Sequence, residues 1–415
     1  MHGSFIISCI IYAGFRQRWH PKWLNDNNYL WKFTNCTSAS MRNYFVFLFI
    51  VWFSLQSHLL AQSIGDPKPH KSGKNVYTMP DAGKRENNAI RLVFYNTENL
   101  FDTFDDSLTN DNEYTPMGMR GWSYKKFQRK LINISKVFMS IGGWEAPEII
   151  GMCEVENRFV LYKLITDTPL NKIGYKIIHK DSPDPRGIDV AMIYRPDKFK
   201  PIVYKAIPIR FPHDPNGRTR DILYVKGLVM GKDTLHVFIN HWPSRYGGYT
   251  GTKPKRAFVA SILRHTTDSL MRVVRDARIV IMGDFNDEPT DESITQVLKA
   301  RSDSSQLSPT DLFNMMYRLS GNWRSGSTKF RENWSLIDQI IVSSSLLHSK
   351  TGLYTNANGA HIYDAPFLLM EDKTYFGVRP FRTYLGPRYL GGFSDHLPVY
   401  FDIYLREPQK AGINK

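Results

Sequence analysis

The chain has 415 residues, 42% hydrophobic and 22% charged, the balance of a soluble globular protein holding one large or two ordinary domains. Its 54 Lys/Arg against 39 Asp/Glu give a net charge of +15, which suits anionic partners: nucleic acid, phospholipid headgroups or phosphorylated small molecules. Two of the three cysteines, Cys9 and Cys36, fall in the first 40 residues, so beyond them Cys153 stands alone, which excludes an internal disulfide and a cysteine metal site.

In chain order, the first feature is Met41-Arg42-Asn43, followed by the apolar run Tyr44 to Phe53 and then Ser54 to Gln62. A basic tip, about ten apolar residues and a small residue at the end describe a signal peptide, and the run is too short for a comfortable membrane span. Cleavage is expected after Ala61 or Gln62, so residues 41–62 are the signal segment. Residues 1–40 resemble neither an n-region nor a folded domain; a true start at Met41 is the simplest account, and an uncleaved anchor is the alternative. Residues 1–61 hold five Lys/Arg against Asp26, a net +4 of the +15, so the exported, periplasmic or extracellular chain keeps +11.

Residues 63–88 are rich in Lys, Pro, Gly and Asn without periodicity and read as a linker. The domain is expected over 89–407. Strand-like runs recur there at Ile90 to Tyr95, Glu148 to Cys153, Tyr175 to His179, Ile188 to Tyr194 and Asp221 to Met230. They continue at Thr234 to Asn240, Arg278 to Gly283, Leu336 to Val342 and Pro398 to Leu405. Apolar residues at three-and-four spacing predict helices over Tyr124 to Ile141 and Lys255 to Val274. This mixture predicts one α/β domain of two packed sheets with helices on the outer faces. Asp102 to Gly121, Asp303 to Trp334 and Tyr354 to Gly392 read as long loops, the last crowded with aromatics and cations that either wall a groove or form a satellite core.

Polar clusters close several hydrophobic runs, the position where chemistry is usually mounted on a sheet. They are Asn96-Thr97-Glu98-Asn99, Glu154-Val155-Glu156-Asn157, Asn240-His241-Trp242-Pro243-Ser244, Gly283-Asp284-Phe285-Asn286 and Ser394-Asp395-His396. Asp284 and Asn286, one residue apart on an extended segment, face the same side. Asp338 lies inside the apolar run Leu336 to Val342, where a lone carboxylate is costly unless partnered. An acid beside a histidine at a strand mouth suits metal-assisted attack on a phosphate ester.

These motifs, in this order, resemble the endonuclease/exonuclease/phosphatase superfamily with its DNase I-like fold: Asn-Thr-Glu-Asn-Leu at 96–100, Cys-Glu-Val-Glu-Asn at 153–157, Asn-His-Trp-Pro-Ser-Arg at 240–245, Gly-Asp-Phe-Asn-Asp at 283–287, Ile-Asp-Gln at 337–339 and Ser-Asp-His-Leu-Pro at 394–398. The resemblance implies that Glu154, with Asn96 and Asp395, holds Mg²⁺ or Mn²⁺, with Ca²⁺ as a further option. It implies that Asp284 is the base for the attacking water, with Asn286 beside the phosphate. His396 would contact the scissile phosphate with its tautomer fixed by Asp338, and His241 would stabilise charge or assist the leaving oxygen. Glu98 and Glu156 read as supporting or surface acids, and Asp189 either orients the site or caps a strand. Many members carry Gln where Cys153 stands; a thiol is a poor ligand for Mg²⁺.

Arg245 and Arg256, with Tyr246, Lys253, Lys255, Arg218 and Arg220 nearby, are candidate substrate contacts, since cations hold phosphates and rings stack on bases. The expected function is therefore a secreted metal-dependent phosphodiesterase, foremost a nuclease. The alternatives are a sphingomyelinase-like or small-phosphoester enzyme, whose apolar membrane hairpin would be Phe367-Leu368-Leu369-Met370, and a non-catalytic anion-binding protein. No protein partner is implied.

Overall fold

A computed structural model describes residues 88–321 and 325–406, together with Glu86. The expected upstream extension and signal peptide, with almost all of the linker, lie outside the described residues.

The first strand, β1 (Ala89–Leu100), is buried at nearly every position because neighbours flank it on both sides. The chain then forms helix α1 (Tyr124–Gly142), β2 (Ile149–Val155), helix α2 (Arg158–Thr166), β3 (Lys176–His179) and β4 (Asp189–Tyr194). Next come β5 (Phe199–Ile207), β6 (Ile222–Val229), β7 (Asp233–His241), helix α3 (Tyr249–Val273) and β8 (Ile279–Asp284). Short strands follow: β9 (Ala300–Arg301), β10 (Leu312–Asn314), β11 (Thr328–Phe330) and β12 (Asn333–Ser335). After β13 (Asp338–Ser343), the short helix α4 (Ser344–His348), β14 (Gly352–Tyr354) and β15 (His361–Ile362), two small hairpins precede the last strand, β20 (Val399–Arg406). The hairpins are β16 (Leu369–Glu371) with β17 (Val378–Pro380) and β18 (Tyr384–Leu385) with β19 (Arg388–Tyr389).

Two seven-stranded sheets carry the fold, one ordered β14-β20-β1-β2-β4-β3 with β15 also on β20, the other β5-β6-β7-β8-β13-β10-β9. Alternate residues of β1 sort its faces: Leu92 and Phe94 enter a core shared with Val237, Ile239, Met282 and Ile340 of the second sheet. Val93 and Tyr95 instead pack with Phe127, Leu131, Ile134 and Phe138 of α1. Val259, Ala260 and Leu263 of α3 cover Phe238, Ile281 and Ile341 on the outer face of the second sheet. The expected two-sheet α/β sandwich with outer helices is the observed architecture. Gly151 sits where the sheets meet, for a Cβ there would lie 2.8 Å from Cε of Met282.

Four local differences have physical reasons. Strand β5 was not expected, because Pro201 interrupts its pattern; the strand lies at a sheet edge and breaks register between Pro201 and Val203, where a proline is tolerated. Helix α2 starts inside the polar run after Glu154: Asn157 caps it by accepting from the Val160 amide at 3.1 Å. Helix α3 begins before Pro254 rather than after it, with the proline close to its start. The aromatic segment before β20 packs into the main core through Tyr384 and Phe393 rather than forming a satellite.

Candidate active site

Backbone irregularities aim the acids. Pairing of β1 with β2 slips between Asn96 and Leu100, and pairing of β2 with β4 slips between Cys153 and Val155. Glu98, Asn99 and Glu154 lie in these bulges with φ of 49°, 58° and 57°, a conformation that non-glycine residues adopt rarely and mostly at functional positions. The slips turn Glu154 toward the cleft, where its Oε2 accepts the Asn99 amide at 2.9 Å. Asn96 accepts the Glu98 amide at 2.9 Å and donates to Oδ2 of Asp284 at 3.1 Å.

Asp284 closes β8 beside His241, the last residue of β7. Gly283 precedes it because the two strands are tight there: a Cβ would lie 2.5 Å from the Asn240 carbonyl oxygen. Beyond Asp284 the chain turns, with Asn286 at φ 51° donating its amide to Oδ1 of Asp284 at 2.9 Å and its side chain to the Trp242 carbonyl at 3.1 Å. Asp338 opens β13 directly opposite Asp284 in the sheet.

The second histidine arrives from the stretch before β20. Nδ1 of His396 meets Oδ2 of Asp338 at 2.6 Å, and its Nε2 stands 3.9 Å from Oδ2 of Asp284. Nε2 of His241 lies 3.8 Å from the same Asp284 oxygen and 3.9 Å from Oε1 of Glu154. Segments separated by up to 300 residues thus converge at one cleft, and Ser394 ties β1 to the stretch before β20 by donating to the Asn96 carbonyl at 2.7 Å.

The environment sorts protonation states. Burial, reinforced by Asp338 and opposed by His396, pushes Asp284 up to about 7, the range in which a carboxylate serves as a base at neutral pH. Burial works against charge on His396, but Asp338 and then Asp284 and Asp395 overcome it, so this imidazole is held well above its ordinary value and protonated. His241 goes the other way: burial, then Arg220 and Arg186, keep it neutral, so its approaches to Glu154 and Asp284 are contacts of an uncharged ring rather than ion pairs.

Glu154, Asp395 and Asn96 offer oxygen donors, the chemistry that hard divalent ions prefer. Glu154 commits Oε2 to Asn99, leaving Oε1 toward the cleft, and Asp395 commits Oδ2 to Arg382 at 2.8 Å. Burial pushes the Cys153 thiol well up, so it stays protonated beside this set. The residues present therefore fit a hard divalent cation. The tightest ligand-type groups at the centre, Asp284–Asp338–His396 and Cys153–His241–Asp284, gather around Asp284 rather than Glu154.

Around the centre, some expectations change. Arg256 was expected to face substrate but is fully buried, its Nε 2.7 Å from Oδ1 of Asp287 and its Nη1 donating to Thr252 at 2.7 Å. Burying a guanidinium without a partner carboxylate would be costly, so Arg256 braces the turn after Asp284 instead. Arg245 keeps an outer face: Nε donates to the Asn286 carbonyl at 2.7 Å, and its side chain is 35% exposed. Lys253 and Lys255 pair with Glu292 and Asp214, and buried Arg220 pairs with Asp184. Glu98 and Glu156 are buried, not surface acids, and Asp189 braces the β3–β4 hairpin through His179 at 2.9 Å and the Ser182 amide at 2.7 Å.

Sequence reasoning passed over Arg382 and Lys130. Arg382 stood in the crowded loop without a motif of its own. Lys130 had a signal: it falls three residues from Phe127 and one from Leu131 on the apolar face of α1, where a cation implies a buried partner.

The model of the Endonuclease/Exonuclease/phosphatase family matches residues 91–406, nearly the whole of the two-sheet domain, from within β1 to the end of β20. The chain belongs to that family. Endonuclease/exonuclease/phosphatase proteins are hydrolases of phosphate esters, and the fold described above is of their DNase I-like type. Among similar solved structures is the human Nocturnin catalytic domain with bound sulfate anion, at 16% identity and TM-score 0.45, covering 77% of this chain and 95% of that one. TDP2 from C. elegans matches at 12% and 0.46, over 77% and 75%. An endonuclease/exonuclease/phosphatase family protein from Bacteroides thetaiotaomicron matches at 16% and 0.45, over 77% and 95%. No curated protein matches the chain.

Proposed function

We propose that the protein is a divalent-metal-dependent phosphodiesterase that hydrolyses nucleic acid, acting outside the cytoplasm after removal of residues 41–62. The observation that carries the chemistry is the opposed pair at the cleft floor: Asp284, pushed up to about 7, stands 3.9 Å from a histidine held protonated by Asp338. A base and a fixed cation at that separation can both reach one oxygen lying beside them, a water or a phosphate oxygen.

In this reading Asp284 takes the proton of the attacking water while Asn286, fixed to Trp242, orients the phosphate. His396 gives its positive charge to the oxygens that gain negative charge in the transition state, and Asp338 keeps its ring turned to do so. His241, neutral and buried, donates or accepts one hydrogen bond at the leaving-group side. Glu154, Asp395 and Asn96 would hold the metal, which when bound supplies further charge stabilisation to the phosphate.

Nucleic acid is favoured by the rim. Tyr246 is 93% exposed next to Arg245, and Phe330 and Phe376 are 72% and 83% exposed. Thr328 of the Phe330 strand donates to the Asp395 carbonyl at 2.8 Å, and Lys329 donates to the Phe376 carbonyl at 2.8 Å, so both rings belong to the border of the cleft. Exposed rings among cations suit bases and phosphates. The apolar hairpin expected of a membrane-acting enzyme does not project: Leu368 is buried, and Phe367 packs against the core.

The test is hydrolysis of plasmid DNA, RNA, sphingomyelin and bis-p-nitrophenyl phosphate with Mg²⁺, Mn²⁺ or EDTA, beside Asp284→Ala. Metal-dependent cleavage of DNA or RNA, lost in the variant, is the expected result. Cleavage of sphingomyelin or the small diester alone would retire the nuclease assignment, and no turnover of any substrate would favour an anion-binding protein.

A further inference from the structure

The acidic end of the cleft is laced by cations that the proposed reaction does not use. Glu98 is buried, and its Oε2 accepts the Thr383 amide at 2.6 Å and lies 4.0 Å from Nζ of Lys130. Lys130 is itself fixed, donating to Oγ1 of Thr383 and to the Phe393 carbonyl, both at 2.6 Å. Onto this anchored carboxylate Arg382 sets one edge of its guanidinium, Nε 3.3 Å from Oε1 of Glu98. Its other nitrogen, Nη2, meets Oδ2 of Asp395 at 2.8 Å. The side chain is 34% exposed.

A guanidinium is planar, always charged and rigid between its nitrogens, so clamping one carboxylate fixes where the other must sit. Here the clamped partner is buried Glu98 and the positioned one is Asp395, two residues after the hydrogen-bonded Phe393 carbonyl. A lysine reaches one carboxylate as a point charge and cannot hold this fork. The same charge repels a divalent ion placed beside Asp395.

We propose that Arg382 is a positioning residue of the reaction centre, a resident cation that orients Asp395 through Glu98 and holds down the cleft's affinity for a divalent ion. The inference rests on the phosphodiesterase reading, in which Asp395 helps hold the metal.

The experiment uses full-length wild type, Arg382→Met and Arg382→Lys. It measures Mn²⁺ binding by calorimetry and kcat and KM on bis-p-nitrophenyl phosphate, with circular dichroism confirming the fold. Arg382→Met is expected to bind Mn²⁺ about tenfold more tightly, because a repelling charge is gone, while kcat falls about tenfold and KM changes little. Arg382→Lys keeps the charge and loses the fork, so its Mn²⁺ affinity stays near wild type while kcat still falls; it serves alone if the Met variant does not fold. Unchanged binding and kcat in both variants, or weaker Mn²⁺ binding in folded Arg382→Met, would overturn the proposal. Wild type that neither binds Mn²⁺ nor turns over the diester would instead defeat the phosphodiesterase reading itself.

Discussion

His396, three residues ahead of β20 in one sheet, and Asp338, the first residue of β13 in the other, meet at 2.6 Å, and the charge state of the centre depends on that meeting. Because Asp338 keeps His396 protonated well above its ordinary pH, activity that needs the imidazolium is lost only as pH rises through that elevated value. Activity that needs Asp284 as a base is lost as pH falls below about 7, or lower with a divalent ion bound. Asp338→Asn keeps the shape and removes the charge. It should lower kcat by about 10²-fold and move both limbs of the pH–rate profile to lower pH, the alkaline one because His396 loses the carboxylate that holds its proton and the acidic one because Asp338 no longer helps to raise Asp284. A variant with reduced kcat but an unmoved alkaline limb would show that Asp338 supports the fold rather than the proton on His396. Both residues were legible in sequence, since an acid in so apolar a strand needs a partner and a histidine at a strand mouth needs an orienter. Arg382 was not, because the carboxylate that clamps it, Glu98, lies 284 residues away and no local pattern reports such a contact.

At the level of elements, β7 holds a second buried histidine with no part in the reaction. His236 is 1% exposed, and Tyr224 of β6 approaches its Nδ1 at 2.8 Å. Burial, with Lys226 nearby, lowers it to about 4, so it is neutral in the folded chain and charged once unfolded below about 6.5. Its contribution to stability is therefore present above pH 6.5 and lost as pH falls toward 4, up to about 3 kcal/mol by the size of the shift. In urea titrations at pH 7.5 and 4.5, wild type should lose more stability on acidification than His236→Phe by roughly that amount. Equal losses would mean that the ring is already protonated in the fold. Elements themselves were legible where periodicity was clean, as in α1 and β8. They were hidden where one residue broke the pattern, as Pro201 did in β5, or where a helix began inside a catalytic motif, as α2 does at Asn157.

For the whole molecule, the proposed substrate makes charge measurable. A polyanion whose phosphates displace counterions from a basic surface binds less tightly in salt, whereas a single diester does so only weakly. Raising salt from about 50 to about 200 mM should raise KM for single-stranded DNA about tenfold and leave KM for bis-p-nitrophenyl phosphate within about twofold. Parallel changes for both would point to the centre rather than to an extended basic track. The two-sheet architecture and the order of motifs were readable together, because the clusters close strands and strands stack into sheets by their apolar faces. Which cations face solvent was not readable: Arg245 and Arg256 share one sequence neighbourhood, and only tertiary packing buries the second against Asp287.

The domain starts and finishes on adjoining strands: Ala89 lies opposite Tyr404, and Asn88 donates to the Leu405 carbonyl at 3.1 Å. Both strands run from that shared corner to the cleft, β1 outward to Asn96 and β20 back from His396. The described chain therefore enters β1 and leaves β20 at one corner, at the strand ends away from Asn96 and His396. Trimming either strand at that corner would shorten the sheet and spare the residues of the cleft.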